Sequence, residues 1–123
     1  MQKNSADNYK LEVSTNCDSW TCIEKIVKSN REIFIILSLL EMPMCGYDII
    51  KTIFIEYKVF LSQGTVYPIL YSLVEQGLLY AEYGKGNMRS KRYNLTSQGK
   101  EIAKTKMTEF ISAMNYITQN IQR

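Results

Sequence analysis

Leu61-Ser62-Gln63-Gly64-Thr65-Val66-Tyr67-Pro68-Ile69-Leu70-Tyr71-Ser72-Leu73-Val74-Glu75-Gln76-Gly77 is the stretch whose reading decides the fold. Val66, Ile69, Leu70, Leu73 and Val74 recur at three- and four-residue intervals, which places them on one side of a helix. At about 100° per residue the opposite side carries Gly64, Pro68 and Tyr71, flanked by Gln63, Thr65 and Tyr67. Ser62 is a natural N-cap and Gly77 stands where a helix would stop. Pro68 argues for a later start, near Tyr67, because proline in a helix interior costs about 3 kcal/mol. The cap argues for the earlier one, and the helix is read as 62–76. It buries one side and exposes a short polar-aromatic surface that has no Cβ at Gly64. Such a surface fits a DNA major groove, with backbone N–H groups at the cap aimed at phosphate. The plainer alternative is an amphipathic helix with turn chemistry before it.

The chain has 123 residues, enough for one domain with a real core, and the composition of a globular protein: 46% hydrophobic, 22% charged, 11% aromatic. A net charge of +3 does not by itself point to a polyanion, so the distribution decides. Between Gly84 and Arg92 stand Lys85, Arg89, Lys91 and Arg92 with no acid among them, a field of one sign in a short segment. The N-terminal residues lack the apolar core of a secretory signal, and the run Ile33 to Leu40 falls far short of the ~20 residues of a membrane span. The expected location is the cytoplasm, with three reduced cysteines.

In chain order, residues 1–17 read as a flexible N-terminus, in which Tyr9, Leu11 and Val13 can pack locally. Asp18 or Ser19 can cap a first helix whose Trp20, Ile23, Ile26 and Val27 share a face. Ser29-Asn30-Arg31-Glu32 has the form of a capping box ahead of a run with Ile33, Phe34, Leu37 and Leu40 on one stripe; 18–40 can be one helix or two. Pro43 and Gly46 break the pattern, and a short helix follows from Tyr47 to about Glu56 with Ile49, Ile50, Ile53 and Phe54 inward. After Gly77 the period changes: Leu78–Tyr83 and Lys91–Leu95 read as two strands around a flexible tip. Thr96 or Ser97 caps a last helix in which Ala103, Met107, Phe110, Met114, Ile117 and Ile121 advance by alternating steps of four and three. That narrow heptad seam is the pattern of a helix that pairs with another, here with a second copy of the chain; packing on its own domain is the alternative. The fold expected is mainly α with a two-stranded β-wing: a winged helix-turn-helix over 18–96 and a dimerisation helix over 97–123, with help from the N-terminal helix.

Three pieces then carry a resemblance. Gly46-Tyr47-Asp48-Ile49 looks like the Gly-Tyr-(Asp/Glu)-Ile start of the second helix of PadR-type transcriptional regulators. Leu61 to Leu79 is similar to that family's recognition helix, and Tyr93-Asn94-Leu95-Thr96-Ser97-Gln98-Gly99 resembles its Tyr-x-Leu-Thr-x-x-Gly close of the wing. The resemblance spans about Ile33 to Ile102. It implies a dimeric regulator of double-stranded DNA, usually a repressor, with dimer-building terminal helices and a small aromatic effector at the dimer interface. Cys45 departs from it, since members often have His before the Gly-Tyr pair, and the segment before Ile33 is longer than compact members need.

On this reading Gln63, Thr65 and Tyr67 reach base edges, Gly64 permits close approach, Tyr71 lies on the same face and Ser62 holds a phosphate. Lys85, Arg89, Lys91 and Arg92 meet phosphates or the adjacent minor groove. An enzyme is disfavoured: there is no histidine, nucleophile elbow or phosphate-binding glycine loop, and neither cofactor nor metal is expected. Two rivals remain. One is a redox or metal sensor using Cys17 and Cys22, turned about 140° apart if both are helical but able to meet if 17–19 are extended. The other is a winged helix used for protein contacts alone.

Overall fold

The computed structural model describes residues 17–84 and 87–123, so residues 1–16 of the expected flexible N-terminus lie outside the described residues. Among the described residues there are five helices and three strands: α1 (Cys17–Ser29), α2 (Arg31–Ser38), β1 (Met44–Cys45), α3 (Gly46–Tyr57), α4 (Gln63–Glu75), β2 (Leu79–Gly84), β3 (Asn87–Leu95) and α5 (Ser97–Gln122).

The segment 18–40 is two helices. The break falls at Asn30, and the capping box does not form: Asn30 is the N-cap, and its side-chain amide donates back to the Ile26 carbonyl at 2.8 Å. An amide satisfied within the preceding helix leaves the next helix start uncapped. The face of α2 also differs from the expected stripe. Phe34, Ile35, Ile36 and Leu39 are buried, whereas Ile33, Leu37 and Leu40 are only half-buried. With β-branched and aromatic side chains at four adjacent positions, periodicity cannot choose the innermost face.

In α3 the inward residues are Ile49, Ile50 and Ile53, while Phe54 is 49% exposed. The helix ends at Lys58, whose φ of 61° lets its N–H donate to the Phe54 carbonyl at 2.8 Å. Helix α4 starts with Ser62 at its N-cap position and runs through Pro68, which faces solvent. Val66, Leu70 and Leu73 are its buried positions; Ile69 is half-buried and Val74, expected inside, is exposed. A Schellman turn ends it: Gly77 has φ of 79°, and the Leu78 N–H reaches back to the Leu73 carbonyl at 3.0 Å.

The sheet has three strands, not two. Its order is β1-β3-β2, antiparallel throughout, with Met44 opposite Tyr93 and Cys45 opposite Arg92. Two residues before Gly46 are too short a signal for a strand to be read from sequence, yet they tie the start of α3 to the base of the wing. On the other edge Leu79 faces Leu95 and Tyr83 faces Lys91, and the register shifts between Tyr83 and Gly84.

The core joins all these elements. Val27 of α1, Ile35 of α2, Ile49 and Ile53 of α3, Val66, Leu70 and Leu73 of α4, Leu79 and Tyr93 of the sheet and Ala103 of α5 are all essentially inaccessible. Gly99 lets α5 approach the sheet, because a Cβ there would overlap the Leu78 carbonyl. Phe34 lies edge-on between Tyr57 and Phe110, with ring centroids 5.0 and 5.7 Å away, and fastens α5 to α2 and α3. The heptad seam of α5 is therefore divided. Ala103 is buried in its own domain and Phe110 packs on Phe34, so neither is free for the partner expected from sequence. Met107, Ile111, Ile117 and Ile121 are exposed.

Tyr93 occupies the centre of the sheet with 1% exposure, and no hydrogen bond of ordinary geometry reaches its hydroxyl. Burial pushes its pKa above the usual 10.0; the ammonium of Lys91 beside it pulls the value part of the way back. The unfolded chain thus loses this proton first, so the stability tied to Tyr93 is whole below about pH 10 and fades as pH rises through the folded value.

This packing has measurable consequences. By urea unfolding, Gly99→Ala should lose about 1–3 kcal/mol, whereas Gly64→Ala, whose Cβ would meet only the Ser62 hydroxyl at 3.9 Å, should hold or gain up to about 1 kcal/mol. Tyr93→Phe should be as stable as the parent at neutral pH, or up to about 1 kcal/mol more so. It should also decline less above pH 10; a clear loss at neutral pH would mean that the hydroxyl is paired.

Candidate nucleic-acid interface

The expected site residues begin at the N-terminal end of α4. The Ser62 hydroxyl donates to Thr65 Oγ1 at 3.2 Å and makes no capping bond to a backbone N–H, so the first amides of the helix are not taken up by it. Ser62, Gln63 and Gly64 are exposed and Thr65 is half-buried. The space over Gly64 is open, so any body brought to this face meets backbone there first.

Tyr67 behaves differently from expectation. It is half-buried, and its ring packs so closely on the start of α3 that a Cβ on Gly46 would come within 2.5 Å of it. Packing between the two helices claims most of this side chain, so Tyr67 also braces α4 against α3. Tyr71, one turn on, is 53% exposed, and its ring lies 6.2 Å from that of Tyr67 at a tilt of 43°. Pro68, between them on the outward side, removes one N–H from the helix and leaves the Gly64 carbonyl without its usual partner, at the solvent face where this costs least.

The wing meets this helix through Lys91. Its Nζ stands 5.4 Å from the centre of the Tyr71 ring and 5.5 Å from that of Tyr93, a cation held between two aromatic faces. The base of the wing and the exposed side of α4 thereby share one surface. Arg92 is exposed but alternates to the other face of the sheet, opposite Glu82 on one neighbour and Cys45 on the other. Lys91 and Arg92 are thus not parts of one patch. Lys85 and the side chain of Arg89 lie outside the described residues.

Spacing along the chain offers no hint of a further pair. Lys28, in the last turn of α1, and Arg31, at the start of α2, line a cleft of about 260 Å³ together with Phe60, Leu61, Ser62 and Thr65. A neighbouring cleft of about 430 Å³ runs from the same two cations past Glu32 and Ile69 to Lys106. No local pattern could reveal this grouping, which joins residues some thirty positions apart.

Cys17 and Cys22 fall within α1, so the extended route by which they were to meet is closed. Cys22 is exposed and Cys45 half-buried, both with free thiols, and no cluster of metal-ligating side chains occurs among the described residues. No helix among them is long and apolar enough to cross a membrane.

Comparison with known proteins agrees with this geometry. The sequence pattern of the transcriptional regulator PadR-like family matches residues 35–105. Among solved structures, a transcriptional regulator from Clostridium thermocellum superposes with a TM-score of 0.68 at 24% identity, covering 77% of this chain and 96% of its own. A PadR family transcription regulator from Clostridium difficile gives 0.66 at 27% identity, covering 73% and 96%. A PadR-like transcription factor from Bacteroides fragilis gives 0.60 at 28% identity, covering 76% and 94%. No curated protein matches the sequence at a significant level. The family match takes in α3, α4, the whole wing and the start of α5, the elements that build the exposed face. The chain belongs to the PadR-like family of transcriptional regulators.

Proposed function

We propose that the protein is a sequence-specific regulator of double-stranded DNA, acting as a homodimer and in the usual manner of its family as a repressor. The observation that carries this reading is Lys91 stacked on Tyr71, which makes the wing base and the outward side of α4 parts of one surface. Helix 62–76 enters the major groove. Gln63 and Thr65 reach base edges, Gly64 admits close approach, and Ser62 and the first amides of the helix meet phosphate. Tyr71 and Lys91 approach the sugar-phosphate edge, while Tyr67 sets the angle of α4 on α3. The wing, 84–92, supplies further phosphate or minor-groove contacts through Lys85 and Arg89. Arg92 lies on the sheet face turned away from Lys91, and so has a smaller part.

The homodimer is supported by the distal half of α5. The helix is about 39 Å long at 1.5 Å per residue, and beyond Phe110 it carries Ile111, Ile117 and Ile121 exposed, with Met114 half-buried between them. A second copy covering this side would set two α4 helices about one DNA turn apart on a near-palindrome. A small aromatic effector between the subunits would then alter that spacing.

Electrophoretic mobility shift on a random duplex at low and high salt tests the reading, and selection from a random pool would give the operator. Replacing Lys85, Arg89 and Lys91 together by Ala should weaken binding and flatten the salt dependence by about 0.9 for each phosphate that the wing ceases to neutralise. An unchanged slope would remove the wing from the interface. Met114→Glu with Ile117→Glu should give monomers in sedimentation equilibrium, and dimers that persist would place the subunit interface elsewhere.

A further inference from the structure

The exposed side of α4 has cations along both of its flanks. On one flank are Tyr67, Tyr71 and, against them, Lys91 of the wing. On the other are Thr65 and Ile69, and the clefts beside these two residues are lined by Lys28 and Arg31. At about 100° per residue, Thr65 and Ile69 lie on the opposite side of the Gly64–Pro68 ridge from Tyr67 and Tyr71. A helix in the major groove, which is about 12 Å wide, has one sugar-phosphate strand along each flank. The wing serves one of them.

We infer that Lys28 and Arg31 hold the other: they form a second phosphate-binding edge, built from the α1–α2 junction, that grips the DNA strand across the groove from the wing. The inference rests on the DNA-binding reading above.

The chemistry suits the task. Arg31 offers a planar fork of donors that matches phosphate oxygens. Lys28 is paired with Glu24 at 2.8 Å, but both side chains are about half-exposed. So exposed a pair is weak and can yield its ammonium to phosphate. The cleft that joins the two cations to Ser62 and Thr65 has no acid in its lining; Glu32 lines only the larger neighbour. Both cations precede residue 35, where the family match begins.

The test uses the full chain, a short random-sequence duplex and the slope of log K against log salt. Lys28→Ala with Arg31→Ala should flatten the slope by about 1–2 relative to the parent, the effect of releasing one or two phosphates. The charge-matched pair Lys104→Ala on α5 with Arg123→Ala at its C-cap should leave it unchanged. Lys28→Gln with Arg31→Gln repeats the test with helix-compatible side chains, and circular dichroism confirms the fold of each variant. A slope equal to the parent's, or an equal fall in the control pair, overturns the second edge while leaving DNA binding intact. Failure of the parent itself to bind duplex at any salt overturns both readings together.

Discussion

The arrangement depends on one threonine. Thr96 Oγ1 donates to the Gly77 carbonyl at 2.7 Å and accepts from the Gly99 N–H at 2.9 Å, while its own N–H reaches the Leu78 carbonyl at 3.0 Å. The turn that ends α4 and the first turn of α5 therefore meet at one residue, the first after β3. A surface group would gain little from any one of these bonds, about 1 kcal/mol each. Their joint effect is geometric: together they join the end of α4 to the start of α5. Gly99 closes the same junction by letting the α5 backbone lie against the Leu78 carbonyl.

A second constraint works at the opposite end of the helix pair. Tyr67 covers Gly46, and β1, just before that glycine, is hydrogen-bonded to β3. Helix α3 is thus held by its first residue to both α4 and the wing. Contacts at both ends tie α3, α4 and the sheet together, and the Phe34–Phe110 contact ties α5 to α2. The outward side of α4 needs such a frame, since a reading surface gives specificity only when its side chains stand still.

Much of this was legible in the residues. Ser62 and Gly77 mark the ends of α4, although the Ser62 hydroxyl makes no capping bond there, and the change from helical to alternating periodicity after Gly77 marks the wing. What escaped the sequence is non-local or ambiguous. Tyr67 reads as outward by angle alone, and only the missing Cβ on Gly46 explains why its ring turns in. The two-residue strand β1 exists because Tyr93 and Arg92 offer it an edge. Ala103 and Phe110 fit a heptad as well as they fit a domain face, and α5 uses the same spacing first for one purpose and then leaves it open for another. Lys28 and Arg31 are ordinary surface cations until the chain folds them beside Ser62. Asn30 shows the reverse case, in which a plausible capping motif lost to a bond within the preceding turn.

The glycines divide in a way that bears on descent. Positions 46 and 99 are sealed by a tyrosine ring and a backbone carbonyl, whereas a Cβ at position 64 would make only an ordinary contact with the Ser62 hydroxyl. Mutation at the first two would strike the framework, and selection would purge it. At the third, a single codon change could place a new side chain on the outward face with the scaffold undisturbed. A lineage built on this chain could in that way drift toward new targets by altering one site, at almost no risk to its own folding.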